Sequence, residues 1–427
     1  MISVQNHPLR LSGNKIWVAA LVALCLASCT TKKSTVLRSP SSSRGEQQTA
    51  VTKPNSEKDK PAVKVGDVQN VNGHSVKNNK IALLLPFELN SIAKTVTTED
   101  VERSALALDF YQGFQAGLDK IAKDGMLFDL QVIDSRDNVA YNASLGTAAT
   151  VKDAALVVGP VYPREIRSFA QTFANKNVLQ VSPLAATMAS EFSVPNLVSM
   201  TPSIRTHSET MAKYVADQYY NGDQILIYDA GDDESKQFLV NFASEVTKAN
   251  AQAKVKTVMS LNELNNSVVL TGTNHVVSGT ANKNLVKGLL DAMDERFLNP
   301  GNQFKLYGHP NLSKLSFENF ENMDFYSLTI TSSSLANDSD GDTKKFISNY
   351  KSLYKVDPSE FSYKGYDAAV YFGRLLHKYG VDYVSHMTQE KFSGLNSDYR
   401  FEFYPKWGYA NRALGIMVYH NKKFERK

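Results

Sequence analysis

From residue 80 onward the chain alternates short apolar runs with longer stretches of helical period. Residues 80–87 (KIALLLPF) are continuously apolar, as in a strand buried on both faces of a sheet, and an irregular loop then leads into a helix over 104–123. Residues 128–135, 154–161 and 177–183 read as further strands, with helices over 141–152 and 164–175 between them, and 196–201 reads as a shorter strand ending at Pro202. Strand and helix in turn imply parallel strands with covering helices. A second series follows: helix 204–220, strand 224–229, helix 235–248 and strand 254–260. Strands are then expected at 267–271, 304–307 and 325–331, with helices over 284–294, 343–354 and 359–379 and closing strands at 399–404 and 413–419. The pattern is two similar α/β halves, with crossings near 201–206, 327–333 and 399–412. So long a region exceeds what one compact core serves.

The residues before 80 follow a different rule. Arg10 and Lys15 form a basic leader, residues 16–27 an apolar core too short to span a bilayer, and the block Leu26-Ala27-Ser28-Cys29 closes it. That block resembles the lipobox of bacterial lipoproteins. The resemblance implies that residues 1–28 are removed as a signal peptide and that Cys29 carries lipid, anchoring the protein to a membrane. The only other cysteine, Cys25, lies in the removed segment, so no disulfide is expected. Residues 30–80 contain no Phe, Trp or Tyr and hold ten Lys and Arg against four Asp and Glu. With so little to bury, residues 29–79 read as a basic, disordered tether, able to reach roughly 40 Å if flexible. The chain carries a formal net charge of +4, the excess of a strongly basic leader and tether over a folded remainder of opposite sign. The folded remainder is mildly acidic, which argues against nucleic acid as a partner.

Catalytic and metal chemistry find no support in the spacing of residues. The eight histidines are scattered, without an H-E-x-x-H arrangement, and neither G-x-S-x-G nor G-x-x-x-x-G-K-[ST] is present. The acidic stretch 338–342 suggests calcium, but an EF-hand register with Gly341 sixth places Ala336 first and Ile347 twelfth, where carboxylates are needed. A surface turn fits better. No catalytic residue, metal or cofactor is expected.

Five blocks carry a family resemblance. Ile81-Ala82-Leu83-Leu84-Leu85-Pro86-Phe87, Phe110-Tyr111-Gln112-Gly113-Phe114-Gln115-Ala116-Gly117-Leu118, Val157-Val158-Gly159-Pro160-Val161-Tyr162, Val181-Ser182-Pro183-Leu184-Ala185-Ala186-Thr187 and Gly365-Tyr366-Asp367-Ala368-Ala369 follow one another as in type I periplasmic binding proteins. The order is similar to that of the leucine-binding branch. The resemblance implies an α/β fold of two Rossmann-like lobes with parallel sheets, joined by a three-crossing hinge and closing on a small ligand. The expected division is 80–203 with 330–400 as the first lobe and 204–329 with 401–427 as the second.

In open parallel sheets ligands sit beyond the carboxyl ends of the strands. The candidate ligand-binding residues are therefore Tyr162, Ser182, Ala185 and Thr187 in the first lobe, and Tyr228, Asp229 and Asn274 in the second. By resemblance, the Ser182–Thr187 loop receives a ligand carboxylate through backbone amides and the Thr187 hydroxyl. Tyr162, Pro163 and Arg164 depart from the small hydroxyl residues usual after the Gly-Pro segment. Bland roles stand beside each of these: Asp229 as a turn former with Gly231 and Asp232, Ser182 and Thr187 as helix caps, the tyrosines as packing.

Two functions are compatible with these residues. One is a receptor for a small polar ligand, amino-acid-like or peptide-like, serving a permease or a sensor. The other is implied by resemblance alone: the fold is also similar to the C-terminal part of outer-membrane lipoproteins that activate peptidoglycan synthases, which would make this an interaction lipoprotein regulating such a synthase. Both place the protein in the bacterial cell envelope, lipid-anchored through Cys29 on the periplasmic side, with the outer membrane favoured over the inner.

Overall fold

A computed structural model describes residues 79–297, 302–337 and 339–427. The leader, Cys29 and nearly all of the tether lie outside the described residues, as does Asp338 of the acidic stretch.

The first sheet grows outward from β1 (Lys80–Leu85), whose residues Ile81 to Leu85 are completely buried. β1 pairs in parallel with β2 (Asp129–Asp134) on one side and β3 (Leu156–Val158) on the other. β4 (Gln180–Ser182) and β5 (Leu197–Ser199) continue the parallel array. The alternation of β1 feeds two cores. Ile81, Leu83 and Leu85 face Phe110, Phe114 and Phe372, whereas Ala82 and Leu84 face Phe169 and Phe173. This explains why the run is apolar at every position rather than at every second one.

Two long helices, Thr98–Ala122 and Glu360–Tyr379, cover the first of these faces. They touch at glycines. A Cβ on Gly113 would lie 1.9 Å from the Ser362 carbonyl oxygen, and one on Gly365 would lie 2.2 Å from that of Phe110. The second and fifth blocks of the family resemblance are thus the two sides of one helix crossing.

The second sheet repeats the strand order of the first. β6 (Gln224–Tyr228) lies between β7 (Val255–Val258) and β8 (Thr273–Ser278), followed by β9 (Gln303–Gly308) and β10 (Thr329–Ser332). Each sheet thus runs second, first, third, fourth, fifth, and each is closed by a hairpin from the end of the chain. Leu226, Val276, Leu306 and Ile330 pack on one face, and Ile225, Ile227, Val277 and Tyr307 on the other. Two sheets with separate cores are the expected two-lobe α/β architecture. The chain passes between them after Ser199, after Ser332 and after Asn411.

Three expectations are corrected. The apolar run at 267–271 is not a strand: Val269 exchanges hydrogen bonds with the Asn274 side chain, at 2.9 Å each way, and Leu270 is 71% exposed. The strand starts six residues later, at Thr273, where alternate residues enter both cores. Second, β10 belongs to the second sheet, so the first lobe does not resume at 330. Third, the region 401–427 divides: β13 (Phe401–Tyr404) and β14 (Gly408–Asn411) join the first sheet through Tyr409 opposite Val198. Only β15 (Gly415–His420) and β16 (Lys423–Arg426) join the second. A two-stranded pair, β11 (Phe392–Ser393) and β12 (Asp398–Tyr399), packs on the first lobe's core.

Candidate functional site between the lobes

The first lobe's strand ends carry the loops that the resemblance singled out. Gly159 follows β3 with φ +104°, and a Cβ there would lie 2.1 Å from the Leu84 carbonyl oxygen, so the chain can turn here only without a side chain. Tyr162 then caps the helix Pro163–Thr172 with its backbone and remains half-buried. Burial raises the pKa of its phenol, and the nearby carboxyls of Asp137, Glu88 and Glu165 raise it further. Glu165, in the first turn of that helix, is 1% exposed, and neither of its oxygens has a donor among the described residues. Burial and the adjoining Asp137 carboxyl push it up to about 8, so it is mainly protonated at neutral pH.

The loop after β4 splits its expected residues between core and groove. Ser182 is fully buried and Ala185 packs with Ile166, Phe192 and Leu197, so neither side chain faces solvent. Thr187 is half-buried and lines a cavity of about 460 Å³ with Ala186, Met188 and Glu191. The opposite wall comes from Ile204 and Arg205, at the first crossing, and from Gln237 and Val240 after β6. Both lobes therefore build one cavity, within the usual size of a small-molecule site. Glu191, Arg205 and Gln237 were missed by sequence reasoning. Arg205 signals itself only as an i,i+4 partner of Glu209, at 2.8 Å. Glu209 is also held by Arg412 of the third crossing, whose guanidinium reaches Thr206 at 3.1 Å as well. The arginine wall is thus braced against the hinge.

The second lobe's strand ends are occupied by structural bonds. Asp229 accepts the Gly231 amide at 2.9 Å, which shapes the turn, and Asp232 accepts the Ser235 amide at 2.9 Å, capping the helix Asp233–Phe238. The other Asp232 oxygen accepts the Thr280 hydroxyl, and Glu234 accepts the Ala281 amide at 2.9 Å and the Asn311 side chain at 3.2 Å. These acids tie together the loops after β6, β8 and β9. Tyr228 ends β6 at 6% exposure, inside the core. Asn274 is fully buried at the opposite, amino edge of the sheet, where it also donates to the Gln303 carbonyl at 3.2 Å. It is a loop anchor, and its placement in the groove followed from misreading 267–271 as the strand. In the acidic stretch, Asp340 accepts the Thr343 amide at 3.0 Å and caps the helix Gly341–Tyr354. Among the described residues, no group of three His, Cys, Asp or Glu is placed to hold a metal.

A family model described as periplasmic binding protein matches residues 102–417, nearly three-quarters of the sequence. The chain belongs to that family. Solved structures share its fold at low identity. A branched-chain amino acid transporter component from Rhodospirillum rubrum superposes with a TM-score of 0.61 at 15% identity, over 82% of this chain and 100% of that one. A substrate-binding protein of a Desulfitobacterium hafniense transporter gives 0.51 at 14% identity, over 82% and 100%. Full-length LpoA from Haemophilus influenzae gives 0.53 at 14% identity, over 83% of this chain and 60% of that one. A comparison with curated protein sequences finds no match. The family is one of solute-binding proteins rather than enzymes, with an envelope location.

Proposed function

We propose that this protein is a lipid-anchored receptor of the bacterial cell envelope that closes on a small polar solute, amino-acid-like or peptide-like. The carrying observation is the cavity of about 460 Å³ whose walls come from both lobes. A solute touching Thr187 on one side and Arg205 or Gln237 on the other binds better to the closed arrangement than to an open one, and so shifts the population toward closure. The lining suits a ligand with an apolar body and a polar end: Met188, Ile204 and Val240 supply the former, Thr187, Arg205 and Glu191 the latter. Lipid on Cys29 and the tether keep the receptor on the periplasmic side, at the outer membrane, and a permease or sensor reads its closed form.

A thermal-shift screen of amino acids, short peptides, muropeptides and sugars tests this reading. A solute that raises the melting temperature, with the rise reduced by Thr187→Val, supports it; no response from any class contradicts it.

A second reading, an interaction lipoprotein that regulates a peptidoglycan synthase, is favoured by the inward-facing Ser182 and Ala185. Of the loop that by resemblance meets a ligand carboxylate, Ala186 and Thr187 reach the cavity, and Thr187 is the one hydroxyl among them. Pull-down of a synthase that persists with Thr187→Val selects this reading.

A further inference from the structure

The second sheet has a polar strip on a face that is otherwise core. On the side covered by the helix Ile204–Asp217, Ile225, Ile227, Val277 and Met211 pack as an apolar cluster. Toward the starts of the strands the same face turns hydrophilic. His275 stands opposite Lys305, and Tyr307 opposite Thr329, which in turn pairs with Val418. A cavity of about 480 Å³ lies over this strip, as large as the one between the lobes and lined by second-lobe residues. Tyr214, His275, Lys305, Tyr307, Thr329 and Lys427 are among its walls.

A fixed hydrogen-bond chain forms the floor. His275 Nε2 lies 3.1 Å from Asp223 Oδ2, and its Nδ1 lies 3.0 Å from the Tyr307 hydroxyl. A carboxylate accepts only, so Nε2 carries the proton and Tyr307 donates to Nδ1. Asp223 also accepts the Tyr220 amide at 2.9 Å and the Thr273 amide at 2.8 Å. These three donors hold the carboxylate in place.

Among the described residues the two lysines that line the cavity, Lys305 and Lys427, have no carboxylate partner. Among the described residues the half-buried Lys305 ammonium bonds only the neutral Ser327 hydroxyl, at 2.9 Å. The Lys427 ammonium meets the Tyr214 hydroxyl at 2.8 Å and lies 5.2 Å from the centre of that ring. Of the two acids that line the cavity, Asp223 lies in the hydrogen-bonded floor and Glu425 pairs with Lys423 at 2.8 Å; the basic Arg426 is held by Asp398 of the first lobe at 2.9 Å. A partly desolvated ammonium gains most from an anion that enters its pocket.

We propose that this cavity is a second binding site, separate from the groove, for a small organic anion bearing a carboxylate or phosphate group. The charged oxygens meet Lys305 and Lys427, and the body of the ligand lies against the rings of Tyr214 and Tyr307.

Titration calorimetry on the full chain with phenyl phosphate, benzoate and benzylamine tests the proposal. At least one of the two anions binds, and which one binds assigns the headgroup; the amine does not bind. Lys305→Gln weakens anion binding by about tenfold or more, a loss of roughly 1.4 kcal/mol. Lys305→Arg restores it, and Thr187→Ala in the groove leaves it unchanged. Circular dichroism confirms that each variant is folded, and Lys427→Gln at an exposed strand end provides a second variant with the same expected direction. Failure of both anions to bind, equal binding of the amine, unchanged affinity in Lys305→Gln, or loss of binding in Thr187→Ala would overturn the proposal. Because the groove variant is a separate arm, failure here leaves the receptor reading standing.

Discussion

Asp367 accepts the backbone N–H of Asn396 at 2.9 Å, and through that residue the helix Glu360–Tyr379 holds the chain where it crosses between lobes. The Leu395 and Ser397 amides donate to the same carboxyl, each at 2.8 Å. Asn396 in turn accepts the Ser334 hydroxyl at 2.7 Å and the Leu335 amide at 2.7 Å, just after β10. Burial pushes Asp367 up to about 7, while the three amides pull it down. Asp367→Ala strands three N–H groups in the interior and is expected to cost about 3 kcal/mol, read from urea unfolding.

The pH dependence of stability is set in part by Glu165. Its folded pKa of about 8 lies above the ordinary 4.5, so the folded state holds the proton more tightly than the unfolded one. This contribution is fully present below pH 4.5 and is lost as pH rises through about 8. The melting temperature therefore falls between these limits, and Glu165→Gln, neutral throughout, flattens that slope. A slope unchanged in the variant contradicts the assignment.

The contact between the two long helices predicts a steric cost. Gly113→Ala places a methyl group where the Ser362 carbonyl already lies, 1.9 Å away. The helices must separate, which is expected to cost about 1–3 kcal/mol in denaturant unfolding. The exposed Gly125 has nothing within 4 Å of its Cβ direction, so any cost of Gly125→Ala comes from its backbone at φ +84° and not from a clash.

Asn274 separates anchoring from binding. Asn274→Ala leaves the Val269 amide and carbonyl without their partner and is expected to destabilise the protein by roughly 1–3 kcal/mol. Solute affinity in the groove stays as in the wild type, because the residue lies at the far edge of the sheet.

Cys29→Ser tests the anchor by fractionation of cells. Release into the soluble periplasmic fraction is the expected outcome; retention with membranes contradicts lipidation at that residue.

Much of the fold was legible because burial on both faces leaves an unmistakable apolar run, as in β1. Strand edges were less so. The run Val268-Val269-Leu270 has strand composition, yet the Val269 amide and carbonyl bond the Asn274 side chain instead of a neighbouring strand, which no hydrophobic pattern reveals. The lobe assignment of β13 and β14 depended on Tyr409 meeting Val198, a pairing across more than two hundred residues. In the candidate site, Thr187 stood out because its loop follows a strand. Glu165 did not, since an acid in a helix's first turn is ordinary until neighbouring loops close over it. Asp229 and Asp232 took the turn-and-cap roles that their spacing also allowed.

Hydrogen exchange with the solute that gives the largest thermal shift tests the central claim most directly. A shared groove predicts slowed exchange in 184–191 of the first lobe and in 204–206 and 237–240 of the second, at the same solute concentration. Protection confined to one lobe, or none in either loop, would contradict it.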